Sequence, residues 1–254
     1  MQNVRKKQIL NYLIEKRSAR VEELAAHFDV SAETIRRDLL EFEQQGFIKR
    51  YRGGALLSGL RSREVPFELR ISIDGIEKKA IADKVASLVK DGDSVAMNVG
   101  TTTYMIAEQL VEKKNLTVVT NSFDVAKILA ENPTSDVYVI GGKLRGDVLG
   151  TSGGLGSELL DGFRVDKAIL SIGGISLESG VTDYHVNEAQ IQKRMLSIAA
   201  EKILACEYRK FNVVALNKLC DIAEIDYLVT DWNVPEKILD EYRAMGVTVL
   251  TADR

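Results

Sequence analysis

The stretch that decides the fold is SVAMNVGTTTYMIAEQL, residues 94–110, in which an apolar run passes through glycine and three threonines into an amphipathic run. The first part predicts a strand over residues 94–98, and the second predicts a helix over residues 102–113. A strand that turns through such residues into a helix leaves free backbone N–H groups and the positive end of a helix dipole facing one point. This stretch therefore predicts an α/β unit with a candidate phosphate site at its turn.

The same alternation of strand and helix patterns continues to the end of the chain. We expect a mainly parallel sheet in a Rossmann-like α/β domain, with ligands at the carboxyl ends of its strands. The predicted strands are 94–98, 117–120, 137–140, 167–172, 202–206 and 226–230. The predicted helices are 77–89, 102–113, 122–130, 188–200 and 235–245.

Length and composition bound the class of protein. A chain of 254 residues with 45% apolar and 28% charged residues has room for two globular domains. No run approaches the roughly 18–20 apolar residues that a membrane span needs, and the first residues lack the pattern of a signal peptide. We therefore expect a cytoplasmic protein with no membrane partner.

The two cysteines, Cys206 and Cys220, show neither a CxxC spacing nor a nearby histidine cluster. This excludes a disulfide framework and gives no sign of a structural zinc site. We expect both thiols to be reduced, partly buried apolar side chains, with a redox switch as the minor alternative. No metal or other cofactor is predicted.

Charge is distributed unevenly along the chain. Residues 1–57 hold 11 Lys and Arg against 8 Asp and Glu, a net +3, whereas the remainder holds 23 against 29, a net −6. A basic front end on an acidic body is typical of a polyanion-binding module joined to a different kind of domain.

Three helical patterns follow one another in the first 45 residues. Apolar residues of the first recur on one face, and those of the second recur at i, i+3, i+4 and i+7. Asp29 and Val30 form a short connection to Ser31, a good N-cap for the third helix. The apolar faces comprise Ile9, Leu10, Leu13 and Ile14; then Val21, Leu24, Ala25 and Phe28; then Ile35, Leu39 and Phe42.

Two short helices joined by a brief turn, the second with Thr and Arg at its exposed N-terminal end, have the geometry that enters a DNA major groove. The following segment FIKRYRGGAL predicts a basic hairpin, or wing, that lies along the phosphate backbone. An alternative is a solvated helix face, on which Glu33 and Asp38 pair with the arginines. The candidate DNA contacts are Ser31, Thr34, Arg36, Arg37, Lys49, Arg50, Arg52 and Gly53.

The segment SARVEELAAHFDVSAETIRRDLLEFEQQGFIKRYRGGA, residues 18–55, resembles the winged helix-turn-helix of the DeoR family of bacterial sugar-operon regulators. The resemblance includes the TIRRDL core and the terminal RGG. It implies binding to double-stranded operator DNA as an oligomer, usually as a repressor.

The second domain resembles the effector domain of the same family, which is related to sugar-phosphate isomerases. The matching motifs are VGTTT, VTNS, GGKLR, FRVDKAILSIGGIS, GVT, NEA and KF. By this resemblance the 100–103 loop holds the phosphate of a sugar phosphate, Arg145 and Lys210 give further anion contacts, and Glu188 contacts a sugar hydroxyl. The candidate effector residues are Asn98, Gly100, Thr101, Thr102, Thr103, Thr120, Asn121, Gly142, Arg145, Gly173, Glu188, Glu207 and Lys210.

The chain departs from the family pattern at Asn98, Glu207 and Arg209. Asn98 stands where the family usually has Asp, and Glu207-Tyr208-Arg209 stands where the family usually has Asp-x-Ser before the Lys-Phe pair. Asn for Asp removes a charge and adds an amide donor, while Arg for Ser adds a positive charge. If these residues line the pocket, it is more electropositive than is usual in the family.

The domain organisation that follows is a winged helix-turn-helix at 1–57, a linker at 58–76 and an α/β effector and oligomerisation domain at 77–254. We predict a repressor, a dimer or tetramer, whose operator affinity is set by a phosphorylated sugar or related metabolite. The alternatives are a sugar-phosphate isomerase with a DNA-binding module and a DNA-bound scaffold with an empty pocket. A hydrolase triad at GTSGG, residues 150–154, is disfavoured because no long apolar strand leads into it. Separately, His27 on the second helix is expected at the surface.

Overall fold

The structure is a computed structural model that describes residues 2–16, 18–44, 46–57, 67–71 and 73–254. The chain divides into two compact units, Met1–Val65 and Pro66–Arg254. The first is a winged helix-turn-helix and the second a layered α/β domain, which confirms the predicted fold class.

The first unit packs three helices over a small sheet. Its elements are α1 (Gln2–Lys16), β1 (Ser18–Arg20), α2 (Val21–His27), α3 (Ala32–Gln44), β2 (Ile48–Tyr51) and β3 (Gly54–Leu57). The predicted apolar faces form its core, with Ile9, Leu24 and Ile35 fully buried, whereas the side chain of Ile14 lies outside the described residues. His27 is exposed, as predicted.

The predicted wing is a β-hairpin with a two-residue turn. β2 and β3 pair antiparallel with Tyr51 opposite Gly54, so the turn is Arg52-Gly53. Gly53 has φ +91°, a conformation that a side chain rarely adopts. The sequence pattern did not reveal β1, which pairs with β3 and completes a three-stranded sheet in the order β1-β3-β2.

The second unit alternates strands and helices along most of its length. Its helices are α4 (Phe67–Arg70), α5 (Gly75–Ser87), α6 (Thr101–Leu110), α7 (Phe123–Leu129), α8 (Gly154–Leu159), α9 (Val186–Ile198) and α10 (Glu236–Ala244). Its strands are β4 (Ser94–Met97), β5 (Thr117–Thr120), β6 (Asp136–Val139), β7 (Lys143–Arg145), β8 (Gly150–Ser152), β9 (Val165–Ser171), β10 (Gly174–Ser176), β11 (Gly180–Asp183), β12 (Ala199–Ala205), β13 (Asn217–Cys220), β14 (Tyr227–Thr230) and β15 (Thr248–Thr251).

Among the described residues, seven strands form one sheet in the order β15-β14-β12-β9-β4-β5-β6. Every pairing in it is parallel. Apolar side chains of these strands are buried in two clusters, one with Leu170 and Met195 and one with Ile169 and Ile106. Because Ile169 and Leu170 are neighbours on β9, their side chains point to opposite faces, so the sheet is covered on both sides.

All six predicted strands and all five predicted helices of this unit are present, with ends that differ by a few residues. The pattern missed β15 and the short antiparallel strands β7, β8, β10, β11 and β13. Part of the predicted linker, residues 58–66 and 72, lies outside the described residues. Its later part contains α4 and the first residues of α5, so this portion of the segment is structured. No helix in the described ranges has the length and apolarity to cross a membrane.

Candidate functional site

The start of α3 is capped as the sequence predicts. The Ser31 hydroxyl accepts a hydrogen bond from the Thr34 N–H at 3.2 Å, and the two hydroxyl oxygens lie 2.9 Å apart. A side-chain cap of this kind satisfies a backbone N–H that the first helical turn leaves free. Both hydroxyls therefore lie at the N-terminal end of the helix that carries the candidate base-reading arginines.

The two arginines of α3 have different surroundings. Arg36 lies 3.2 Å from the Glu33 carboxylate, and both side chains are more than half exposed, so this pair contributes little to stability. Arg37 is exposed and makes no hydrogen bond or ion pair with any residue that the structure describes. Asp38 does not pair with it; this buried carboxylate accepts hydrogen bonds from Arg5 of α1 at 2.9 and 3.3 Å.

Of the three wing cations, only Arg50 is engaged within the described ranges. Its Nε lies 2.7 Å from Glu43 of α3 and its backbone N–H donates to the same carboxylate at 2.9 Å. These two hydrogen bonds lower the pKa of Glu43. They fix β2 to α3, whereas Lys49 and Arg52 are exposed and unpaired.

The remaining candidate of this surface is Gly53 at the hairpin turn. An open concavity between α3 and the wing is lined by Arg36, Arg50, Arg52 and Gly53 among other residues. The first unit thus gathers the predicted DNA contacts on one side of α3 and on the hairpin beside it.

The predicted effector loops meet at one edge of the large sheet. β12, β9, β4 and β5 are neighbours in the parallel sheet, so the residues after their carboxyl ends adjoin one another. These residues are Glu207 after β12, Gly173 after β9, Asn98–Thr103 after β4 and Asn121 after β5.

Gly100 lies close to the Ser171 side chain at the end of β9. A Cβ on this residue would lie 1.9 Å from the Ser171 Oγ and 3.2 Å from the Ser171 Cβ, so any larger residue would have to displace that side chain. α6 begins at the next residue, and the N–H groups of its first turn have no partner inside the helix. The loop is therefore a helix N-terminus held against β9.

The three threonines of the loop differ in their hydrogen bonds. The Thr103 hydroxyl donates to the carbonyl oxygens of Asn98 and Gly100, at 2.8 and 3.0 Å. The hydroxyls of Thr101 and Thr102 make no hydrogen bond with the described residues, although both side chains are almost buried. The two hydroxyls thus differ from that of Thr103, which holds the loop by its hydrogen bonds to the backbone.

Asn98 joins β4 to β9 through its side-chain amide. Its Nδ2 donates to the Ser171 carbonyl at 2.8 Å, and its Oδ1 accepts from the Ser171 N–H at 3.0 Å. The expectation that Asn in place of the family's Asp makes the pocket more electropositive stays a prediction, because these hydrogen bonds do not replace the missing negative charge.

The polar side chains after β5 are also engaged by the backbone. The Thr120 hydroxyl donates to the Met97 carbonyl at 2.7 Å. The Asn121 amide accepts from the Val99 N–H at 3.0 Å and donates to the Thr151 carbonyl at 2.7 Å. These residues align the loops of the site in the described state.

Two glycines of the candidate set stand where a side chain would collide with neighbouring chain. A Cβ on Gly142, whose φ is +141°, would lie 2.7 Å from the Ser152 carbonyl oxygen. A Cβ on Gly173 would lie 3.0 Å from the Asp183 backbone and the Tyr184 ring. Both glycines therefore permit close packing of loops at the site.

Ser152 of the disfavoured triad is buried, and its hydroxyl donates to the Lys143 carbonyl at 3.3 Å.

Arg145 and Glu188, both predicted to contact the effector, contact each other. One guanidinium nitrogen donates to Glu188, while two others donate to Asp147 at 2.6 and 3.3 Å. Burial opposes the charge on Arg145, but the two carboxylates outweigh it and raise the pKa of this group. Arg145 is thus charged and held between two acids.

A second charged cluster surrounds Glu207 after β12. Its carboxylate is buried and lies 3.9 Å from the Lys210 Nζ. Burial favours its neutral form, yet Lys210 and Lys78 more than offset this and lower the pKa of Glu207. Lys78 was not among the predicted site residues. The signal in the sequence is its position on the apolar face of α5, beside Ile81 and Ala82.

Arg209 does not add free positive charge to the pocket. Its Nε lies 2.8 and 2.9 Å from the two carboxylate oxygens of Asp74, which precedes α5. Its guanidinium also stacks on the Tyr208 ring at 4.9 Å. Arg209, which stands where the family usually has Ser, therefore forms an ion pair with Asp74 near the start of the second unit.

Cys206 adjoins the Glu207 cluster, since its thiol donates to the Glu207 carbonyl oxygen at 3.7 Å, whereas Cys220 lies in β13. Both are free thiols and buried, as the sequence predicts. Within the described ranges no cluster of His, Cys, Asp and Glu has an arrangement that could hold a metal ion.

Comparison with known families agrees with both units. Residues 5–58 match the DeoR-like helix-turn-helix domain, and residues 74–232 match the DeoR C terminal sensor domain. The chain belongs to the DeoR family. It is a DNA-binding transcriptional regulator and not an enzyme, which decides against the isomerase alternative.

Two of the named relatives of this DeoR-family chain are repressors. It is 35% identical over 231 residues to the HTH-type transcriptional repressor CsqR of Escherichia coli K12, covering 90% of this chain and 87% of that one. It is 31% identical over 239 residues to the glycerol-3-phosphate regulon repressor of Haemophilus influenzae, covering 94% of this chain and 92% of that one.

Among solved structures, the chain is similar to ribose 5 phosphate isomerase A from Neisseria gonorrhoeae. The TM-score is 0.40 and the identity 15%, with 53% of this chain and 52% of that chain covered. A similarity of this size assigns no activity to the DeoR-family chain.

Proposed function

We propose that this regulator represses a carbohydrate-metabolism operon and that a phosphorylated sugar or related metabolite, bound in the second unit, sets its operator affinity. The observation that carries the proposal is the loop at residues 100–103. There, a helix N-terminus and two threonine hydroxyls without a hydrogen bond among the described residues lie at the same end of the parallel sheet as the charged loop after β12.

The DNA contacts in this proposal divide by role. Arg36 and Arg37 reach base edges in the major groove, where an arginine can pair bidentately with guanine. Ser31 and Thr34 contact phosphates at the entrance of the groove, and the wing lies along the phosphate backbone. The wing residues are Lys49, Arg50, Arg52 and Gly53.

The effector contacts begin at the phosphate. The free N–H groups of the first turn of α6 and the hydroxyls of Thr101 and Thr102 donate to the phosphate oxygens. Lys210 and Arg145 supply positive charge, and Glu188 accepts from a sugar hydroxyl. In the described state the acids Glu207, Glu188 and Asp147 neutralise these two cations, so a bound phosphate competes with them.

The other candidates build the pocket wall in this proposal. Asn98 and Thr103 hold the loop, while two residues after β5 align it with its neighbours. The two glycines after β6 and β9 let the neighbouring loops pack closely around the site. These four wall residues outside the phosphate loop are Thr120, Asn121, Gly142 and Gly173.

The active form in this proposal is a homo-oligomer, either a dimer or a tetramer. One chain contains one helix-turn-helix unit, and such units read two half-sites as symmetric pairs. Light scattering of the purified protein measures its mass in solution. A monomer at the concentration that saturates operator DNA contradicts this part of the proposal.

A melting-temperature screen against sugar phosphates tests the effector. A ligand present at about 100 times its Kd stabilises the folded state by about 2.7 kcal/mol, which raises the melting temperature by several degrees. Thr102→Val removes one phosphate donor with little change in volume, so we expect it to abolish the shift. If no sugar phosphate stabilises the wild type, the protein is a scaffold with an empty pocket and the effector proposal is wrong.

A further inference from the structure

Residues 67–71 and 73–74, here called the connector segment, are the first described residues of the second unit. They follow the DNA-binding unit in the chain and contain α4 and the turn before α5. The segment is fixed to the second unit at three points. The first and third points adjoin candidate effector residues in the sequence, and the second interacts electrostatically with Glu207.

The first point is apolar. Phe67 is buried in a cluster with Val99 and Val148, and Ile71 and Tyr104 pack against the same cluster. Val99 directly precedes Gly100 of the phosphate loop, and Val148 follows the residues that pair with Arg145. A rearrangement of either loop therefore moves the surface on which α4 rests.

The second point is a buried lysine. The Lys78 Nζ donates to the carbonyl oxygens of Arg70 and Ile73, at 2.6 and 2.8 Å, and so fixes the end of α4. Burial lowers the pKa of Lys78, and the nearby Glu207 carboxylate opposes this effect. Lys78 therefore donates hydrogen bonds to the connector segment and also interacts electrostatically with Glu207, the acid that pairs with Lys210.

The third point is the ion pair of Arg209 with Asp74. The Asp74 side chain is 7% exposed and that of Arg209 is 23% exposed, so solvent screens this pair less than a surface pair. Arg209 lies between Glu207 and Lys210, hence a ligand that attracts Lys210 displaces the loop that carries it.

We propose that the connector segment transmits effector binding to operator affinity, and that Arg209 and Asp74 are the positioning residues of this coupling. The inference rests on the proposed function, because it presumes an anionic effector. A phosphate at the start of α6 attracts Lys210 away from Glu207. Glu207 then attracts the Lys78 ammonium group more strongly. This weakens the hydrogen bonds by which Lys78 holds the connector segment.

The test compares Arg209→Gln and Asp74→Asn with the wild type, using operator binding and amide hydrogen exchange. Asn replaces Asp74 without backbone strain, because its φ of +52° is one that Asn also adopts. Arg243→Gln is the matched control, since Arg243 pairs with Glu236 and Asp240 on the surface of α10. Circular dichroism and melting curves check that each variant is folded.

Without any ligand, we expect both variants to speed exchange in the connector segment and to shift the operator Kd by about 5-fold or more. The double variant should shift it no further than either single variant, because one contact is lost in all three. Arg209→Lys, which keeps the charge, should retain the wild-type values. The Arg243→Gln control should match the wild type.

Inorganic phosphate is the probe for the effector side. In the wild type it should speed exchange in the connector segment and move the operator Kd in the direction seen for Arg209→Gln. In that variant it should have less than about 2-fold effect on the Kd. An inert wild type contradicts the proposed anion site. Wild-type exchange and operator affinity in both ligand-free variants overturn the coupling, whatever phosphate does.

Discussion

At the residue scale, Asn98 fixes local structure at a position where the family usually has Asp. Its amide satisfies both the N–H and the carbonyl of Ser171, 73 residues away, and so fastens β4 to β9 beside the phosphate loop. A carboxylate at this position accepts from the N–H but cannot donate to the carbonyl. The residue therefore acts on the shape of the loop.

Asn98→Asp should lower the free energy of unfolding by about 1–3 kcal/mol at neutral pH, because a buried carbonyl loses its donor and a charge is buried. The loss should shrink as the pH falls through the pKa of the introduced carboxyl, since the protonated form can donate again. Urea unfolding at several pH values measures it. Asn115→Asp is the control, because Asn115 is exposed. Equal stability of both variants contradicts the role of Asn98.

The thiols give a second prediction at this scale. Burial raises the pKa of Cys220 to about 12 and that of Cys206 well above its ordinary value. At pH 8 we expect a disulfide reagent to label the native chain roughly 10³-fold more slowly than the unfolded chain, because the thiolate is the reactive form. Labelling should accelerate as the pH rises toward 12. Fast native labelling at pH 8 supports the alternative of a redox switch.

At the scale of elements, α3 and the wing are joined by the ion pair of Glu43 and Arg50. Arg50 binds Glu43 of α3, which leaves Lys49 and Arg52 as the wing cations that face solvent. The two elements therefore move together, while their free cations remain available to phosphates.

Lys49→Ala and Arg52→Ala should each weaken operator binding and reduce its salt slope by about 1, because each removes one phosphate contact. Lys237→Ala is the matched control, an exposed lysine of α10. Fluorescence anisotropy over a range of salt concentrations measures the slope. An unchanged slope in both wing variants contradicts the assignment of the wing to the DNA backbone.

Elements that bury one face were predictable from sequence, whereas the contacts between them were not. The pattern found six strands of the large sheet and missed β15; those found are β4, β5, β6, β9, β12 and β14. Length does not separate β15 from them, since β4, β5, β6 and β14 also have four residues, whereas β1 has three residues, too few for a period. Antiparallel pairs such as β7 and β8 are equally short.

The charged contacts of the site depend on tertiary structure. Arg209 and Asp74 are 135 residues apart, and Arg145 and Glu188 are 43 apart, so no local pattern links them. The predicted loops do meet, because the parallel sheet brings the carboxyl ends of its strands to one edge. Which side chains point into the site and which fasten the loops could not be deduced from the residue types.

For the whole molecule, the central claim is that a phosphorylated metabolite bound at the 100–103 loop sets the affinity of the winged helix for operator DNA. Anisotropy titrations of DNA from the region upstream of the gene, with and without a stabilising sugar phosphate, test it most directly. The wild-type operator Kd should change by about 5-fold or more on adding the ligand. Thr102→Val should bind DNA like the wild type without responding, and Arg37→Ala should bind weakly under both conditions. A wild type that does not respond, or a Thr102→Val variant that responds fully, contradicts the claim.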